Sequence, residues 1–214
     1  ITYATNSQNP VDFRDLKSND EIQKLLEISA NDLGYIYKRK RDNHGNTNVI
    51  PSTVAAEAVF AVWRGKPHLA KYKRNEFFDQ YYDEIFSNLN AAQMIIAVII
   101  FRYCDSSRKR VSNDAEIQSQ RPFSQYFLAY MVGKRLLKTL NIKLEKLTHE
   151  NFTQVKSCLE EKIEEFYQEA ETQLIEILKL YFNKDSLKEI DGRTMAAVFR
   201  RFDILLQFLD TSIS

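Results

Sequence analysis

The chain has 214 residues, one large domain or one domain with an appendage at roughly 150 residues each, so it can bury a substantial core. Hydrophobic residues at 44% and aromatics at 12% exclude a disordered chain, and two cysteines exclude a disulfide scaffold. With 30 Lys and Arg against 29 Asp and Glu, global charge singles out neither nucleic acid nor a membrane surface.

Only 5 Gly and 4 Pro leave few breaks for turns or glycine-rich phosphate loops. The expected fold class is therefore all-α: an irregular multi-helix bundle with one long helix in its C-terminal half and at most a short extended segment near its N-terminus. Residues 1–5 suit the end of a strand, and residues 6–12, rich in amides around Pro10, read as a loop. Ser18 stands three residues before Glu21 as a capping box, which predicts a helix over residues 19–32 ending at Gly34. Tyr35, Ile36 and Tyr37 form a short extended candidate. Residues 38–46 hold no apolar side chain and read as a solvated loop.

Beyond Pro51, Ser52 caps a helix through Val54, Val59, Phe60 and Trp63; Gly65 stops it and Pro67 prevents its resumption. Asn75 leads a segment carrying Phe77, Phe78, Tyr81, Tyr82, Ile85 and Phe86. Asn90 then caps a helix over residues 91–103 that is apolar all round and so belongs at the centre of the domain. Its apolar run is far short of the ~20 residues that cross a bilayer, so no membrane partner is expected. Residues 105–114 are polar and charged apart from Val111 and make the best internal loop or hinge candidate.

Residues 122–140 keep helical spacing at Phe123, Phe127, Tyr130, Met131, Leu137 and Leu140, and Thr148 caps the next element. There, Phe152, Val155, Leu159, Ile163, Phe166, Ala170, Leu174, Ile177 and Tyr181 recur at about 3.6 residues per turn, predicting a straight helix of about 34 residues. A last helix over residues 193–209 buries Met195, Val198, Phe199, Phe202, Leu205, Leu206 and Leu209. The organisation expected is residues 1–104, a 105–114 loop, and a helical extension over 115–214 packed on the first part. An opening Ile without a basic and apolar leader reads as a piece of a longer protein, with the cytoplasm as its setting.

Glu160, Glu161, Glu164, Glu165 and Glu169 have the spacing of carboxylates on one helix face, but a two-metal site also needs Glu-x-x-His pairs that are absent. An acidic solvated face, with no metal, is expected there. His44 and His68 do not make a His-Asn-His pattern, no Ser occupies a nucleophile elbow, and Cys104 and Cys158 fall inside expected helices. Gly65-Lys66 lacks the flanking residues of a phosphate loop. No catalytic constellation and no cofactor is expected in this stretch, and any catalysis belongs to a region upstream of it.

Three cationic clusters stand out. Lys38, Arg39, Lys40 and Arg41 are consecutive; Arg64, Lys66, Lys71, Lys73 and Arg74 have no acid among them; Arg102, Arg108, Lys109 and Arg110 surround Asp105. At loops and helix ends such side chains reach phosphates, and equally they solvate a surface or offset helix C-termini. DNA or RNA is thus the candidate partner. The candidate contacts are Lys38, Arg39, Lys40, Arg41, Lys66, Lys71, Lys73, Arg74, Arg108, Lys109 and Arg110.

At Asn6-Ser7-Gln8-Asn9-Pro10-Val11, Arg14-Asp15-Leu16, Ser18-Asn19-Asp20 and Gln23 the chain resembles the abortive-infection phage-resistance (AIPR) family of bacterial defence proteins. The resemblance continues at Gly34-Tyr35-x-Tyr37-x-Arg39 and Trp63-x-Gly65-Lys66-Pro67-x-x-Ala70, within residues 1–105. It implies an upstream core with an Asn-Gly-x-Gln-Thr motif that this chain lacks, which makes this the C-terminal part. Asn6, Gln8 and Asn9 beside Arg14 and Asp15 suit either fixing a loop or reading a nucleotide. The expected function is a helical C-terminal domain of a phage-defence protein that binds nucleic acid or positions an upstream effector domain of the same parent. The alternative is a protein-interaction scaffold without nucleic-acid contact; the oligomeric state stays open.

Overall fold

The computed structural model describes residues 13–40 and 47–200. Expectations for the first strand end, the amide loop with Asn6, Gln8 and Asn9, for Arg41 and His44, and for the last helix beyond Arg200 lie outside those residues. Among them the fold is all-α apart from two three-residue strands, and one long helix lies in the C-terminal half.

The chain enters through α1 (Phe13–Lys17) and α2 (Glu21–Asp32). The expected capping box does not form, because Ser18 Oγ donates to Asp15 O at 2.7 Å and so finishes α1. Asp20 takes the N-cap of α2 without a side-chain bond. Gly34, at φ +81°, ends α2 as expected. Two short strands follow, β1 (Ile36–Lys38) and β2 (Val49–Pro51), paired in parallel with Tyr37 opposite Ile50. Three residues are too few for β2 to betray itself by alternation.

Helix α3 (Ser52–Val62) has Pro51, not Ser52, at its N-cap. Gly65, at φ +62°, ends the turn after it, where Lys66 N donates back to Phe60 O at 3.1 Å. Pro67 does not stop helix formation but opens α4 (Pro67–Tyr72), since a missing N–H is harmless in the first helical turn. A 3₁₀ turn (Arg74–Glu76) and α5 (Tyr82–Phe86) divide the aromatic segment that follows.

The central helix α6 (Ala91–Ser107) starts with a formed capping box: Gln93 N donates to Asn90 Oδ1 at 2.9 Å and Asn90 N to Gln93 Oε1 at 3.5 Å. It runs past residue 103, so the first residues of the expected hinge are helical. Helix α7 (Ala115–Leu140) likewise begins well before Pro122. Asp114 caps it, accepting from Glu116 N at 2.8 Å. Glu171 then secures its first turns by accepting from Gln120 and Arg121, and this anchoring outweighs the one intrahelical bond lost at Pro122. Asn141, in the left-handed region, closes α7. Helix α8 (Phe152–Phe182) is the long helix, 31 residues against about 34 expected. Thr148 is not its cap: Asn151 holds that position, and its Oδ1 turns back to accept from Thr148 N at 3.0 Å. Asp191 caps α9 (Gly192–Val198), accepting from Arg193 N and Thr194 N.

Helix α6 lies inside, as its pattern demands: Met94, Ile95, Ile96, Ala97 and Ile100 are fully buried. Helices α3 and α7 flank it, with α2 and α8 also against it. Cys104 is buried and Cys158 half-buried, both as free thiols in helices. Among the described residues no helix is long and apolar enough to cross a membrane. The close crossing of α3 and α7 depends on Gly133, where a Cβ would meet Val62 Cγ1 at 2.6 Å and Trp63 Cζ3 at 3.0 Å. Gly133→Val should therefore destabilise the fold by about 1–3 kcal/mol, lowering Tm by several degrees in a thermal melt. An unchanged Tm would mean that the two helices are not held this closely.

Candidate functional site

After Phe101 the apolar pattern of α6 gives way to polar residues, and Phe101, Asp105 and Arg108 recur at steps of four and three along one helix face. Helix α4 brings up Lys71, and the 3₁₀ turn adds Arg74. From α7, Phe123, Gln125 and Tyr126 complete a cleft of about 310 Å³. Three cations, one carboxylate and three aromatic side chains thus meet in one concavity.

Behind Arg74 lies a buried network. Arg74 Nε donates to Glu57 Oε1 at 2.8 Å and Nη2 to Tyr126 OH at 2.8 Å, while the Tyr126 hydroxyl donates to Glu57. Glu57 sits on the inward face of α3, and burial pushes its carboxyl above the usual range, only partly offset by Tyr126 and Arg74. Burial, then Glu57, raises the Tyr126 phenol far above its ordinary value, so it remains a hydrogen-bond donor. Asp105 ends up the other way: burial works against its charge, but Lys109 and Arg108 outweigh it and hold its carboxyl low. Lys109 Nζ lies 2.6 Å and Arg108 Nη2 2.8 Å from it.

Of the candidate contacts read from sequence, the structure brings together Lys71, Arg74 and Arg108. Among the other described candidates, Lys109 pairs with Asp105 of the cleft, and the rest do not line it. Lys38 lies in β1 and does not line the cleft, and Lys40, two residues on, is exposed. Arg39 is half-buried, with Nε donating to Glu27 at 2.8 Å and Nη1 to Ser18 O at 2.6 Å. Lys66 is 3.8 Å from Glu84, and Lys73 is 2.8 Å from Glu76. Arg110 pairs with Glu164 at 2.8 Å and lies over the Tyr103 ring. From the amide-rich motif, Arg14 and Asp15 lie on α1, 4.0 Å apart.

The residues that carry the family resemblance have structural tasks. Trp63 Nε1 donates to Gln93 O at 2.8 Å, tying the end of α3 to the start of α6, and Gly65, Pro67 and buried Ala70 turn the chain into α4. Tyr37 OH donates to Gln23 Oε1 at 2.6 Å, which holds β1 on α2. Sequence reasoning missed Glu57, Gln125 and the aromatic walls. Phe123 read as ordinary core spacing, whereas Glu57, the one acid among the alanines of α3, was the available signal.

Fold and cleft together define a small all-α unit with a cationic, aromatic-walled concavity. The family model described as AIPR protein matches residues 1–177, past the motif-bearing stretch and into α8, and the chain belongs to that family. Membership implies a role in abortive-infection phage resistance. Neither the curated proteins nor the solved structures yield a match.

The raised Glu57 carboxyl has a sign that can be measured. A carboxyl that keeps its proton longer in the folded state favours folding at low pH, and that advantage fades as pH rises above the unfolded value near 4.5. Glu57→Gln can still accept from Arg74 and Tyr126, so its stability relative to the unaltered chain should improve between pH 4.5 and neutrality in urea melts. A difference independent of pH would show that Glu57 is not displaced upward.

Proposed function

We propose that this AIPR protein acts in phage defence by contacting nucleic acid through the cleft between α4, α6 and α7, with the cytoplasm as its setting. Convergence supports the reading: Lys71 and Arg74 come from one sequence cluster and Arg108 from another, and they meet over Phe101, Phe123 and Tyr126. Cations take phosphates while aromatic faces take bases. Lys71 makes no ion pair among the described residues, its ring contact being Tyr72 at 5.6 Å. Arg74 and Arg108 commit part of their guanidinium to Glu57 and Asp105, and each fork retains further N–H donors for a phosphate.

The scaffold reading draws on another face. Leu25 and Ile28 are exposed on α2, and Leu25 lines a groove of about 270 Å³ together with Ile22, Leu26, Leu33 and Leu89. An apolar helix of an upstream domain would suit such a surface.

Lys71→Ala combined with Arg108→Ala separates the two. Neither side chain belongs to the core, and Lys109 still pairs with Asp105, so Tm should move by only about one or two degrees. Oligonucleotide binding should weaken, and its log–log salt slope should fall by about 0.7 for each single-strand phosphate no longer neutralised, or about 0.9 for each duplex phosphate. Absence of salt-sensitive binding by the unaltered chain would leave the scaffold reading. Salt-sensitive binding untouched by the double substitution would move the contact to Lys38 and Lys40.

A further inference from the structure

We propose that the cleft accepts one unpaired nucleotide, with its base against Phe123 and Tyr126, its base edge on the Gln125 amide, and its phosphate at Lys71, Arg74 and Arg108. This rests on the nucleic-acid reading above and narrows it from any strand or duplex to an unstacked nucleotide.

Gln125 carries the inference. It is 7% exposed and lines the cleft. A side-chain amide brings two donors and an acceptor oxygen, and burying it without partners lowers stability. The other buried glutamines are bonded inside the fold: Gln23 accepts from Tyr37 OH at 2.6 Å, Gln93 donates to Leu144 O at 2.9 Å, and Gln120 donates to Glu171 at 3.1 Å. Gln125 makes no hydrogen bond among the described residues. Its polar atoms are not sealed in the core like the unpartnered hydroxyls of Ser107 and Ser124, so its remaining surface is available at the cleft wall. A base edge, with donor and acceptor side by side, matches a side-chain amide.

The shape agrees with the chemistry. Duplex readers push a convex helix or ribbon into a groove, whereas this surface is concave. Its volume of about 310 Å³ is at the lower end of small-ligand sites, about 300–1,000 Å³, and so suits a single base with its sugar and phosphate. The walls are already fixed. Phe123 is half-exposed and stacked on Phe199 at 6.4 Å, and Tyr126 is held edge-on to Phe101 at 5.3 Å and by its bonds to Glu57 and Arg74. Little side-chain freedom is left to lose when a base enters.

The test uses the whole chain and fluorescence anisotropy with a single strand of about twelve nucleotides, the matching duplex and an abasic strand with the same phosphates, with AMP as competitor. At equal salt the single strand should bind at least about tenfold more tightly than the duplex. Gln125→Leu should weaken the single strand about tenfold, the worth of a good hydrogen bond, without changing the salt slope. Its Tm should hold or rise, because no internal hydrogen bond is removed, and Gln125→Met is the second variant of similar length. The abasic strand should bind both proteins alike.

AMP distinguishes the source of the nucleotide. Displacement of the strand only at much higher AMP concentration supports a strand as ligand, and AMP binding as tightly as the strand supports a free nucleotide in the same pocket. Equal affinity for duplex and single strand, or unchanged affinity in Gln125→Leu, would overturn the nucleotide pocket while leaving nucleic-acid contact standing. No salt-sensitive binding of any probe would remove both.

Discussion

Helix α6 has no polar stripe along its first three turns, and the rest of the structure depends on covering it. A helix that is apolar all round must be packed on every side. That demand sets α3 and α7 against it, with α2 and α8 also in contact. Small residues make the close approach possible: Ala55, Ala56, Ala58 and Ala61 on α3, and Gly133 on α7 where the two helices cross. The polar last turns of α6 emerge where this cover ends, and the cleft forms at that boundary, with Phe101 on the apolar side and Asp105 and Arg108 on the polar side.

Two buried ionic networks sit beside this frame and have different consequences. Arg121 and Glu171, both nearly buried, lock α7 to α8: Arg121 Nε donates to Glu171 Oε1 at 2.8 Å and Nη2 to Oε2 at 2.9 Å. Removing one partner of such a pair is costly because the other charge stays buried. The Glu57, Tyr126 and Arg74 group is open on one side, since the Arg74 side chain is 59% exposed. Its carboxylate fixes the cleft wall without using every N–H of the guanidinium.

The sequence announced much of the frame. Asn90 and Gln93 form the capping box their types promise, Gly34 and Gly65 end helices in the left-handed region, and the 3.6-residue period of α8 holds over its whole length. Where it misled, long-range contacts overrode local preference. Pro122 read as a helix start, yet Glu171, far along the chain, secures the turns before it; Ser18 read as a cap, yet its hydroxyl found the Asp15 carbonyl first. The cleft was half legible. Its cations showed as clusters, but clustering along the chain also gathered Arg39 and Arg110, which the fold commits to Glu27 and Glu164. Gln125 could not be singled out, because a buried glutamine becomes conspicuous only when its neighbours are known to leave it unbonded.

The central claim is that the base of a bound nucleotide lies against the α7 wall of the cleft. Photocrosslinking of a halogenated-uracil single strand to the whole chain, followed by peptide mass spectrometry, tests it directly, since such crosslinks form with aromatic rings in contact with the base. The account predicts adducts at Phe123 or Tyr126 that disappear when unlabelled strand is added in excess. Adducts confined to the Lys38 and Lys40 region, or to the Leu25 and Ile28 face of α2, would contradict it.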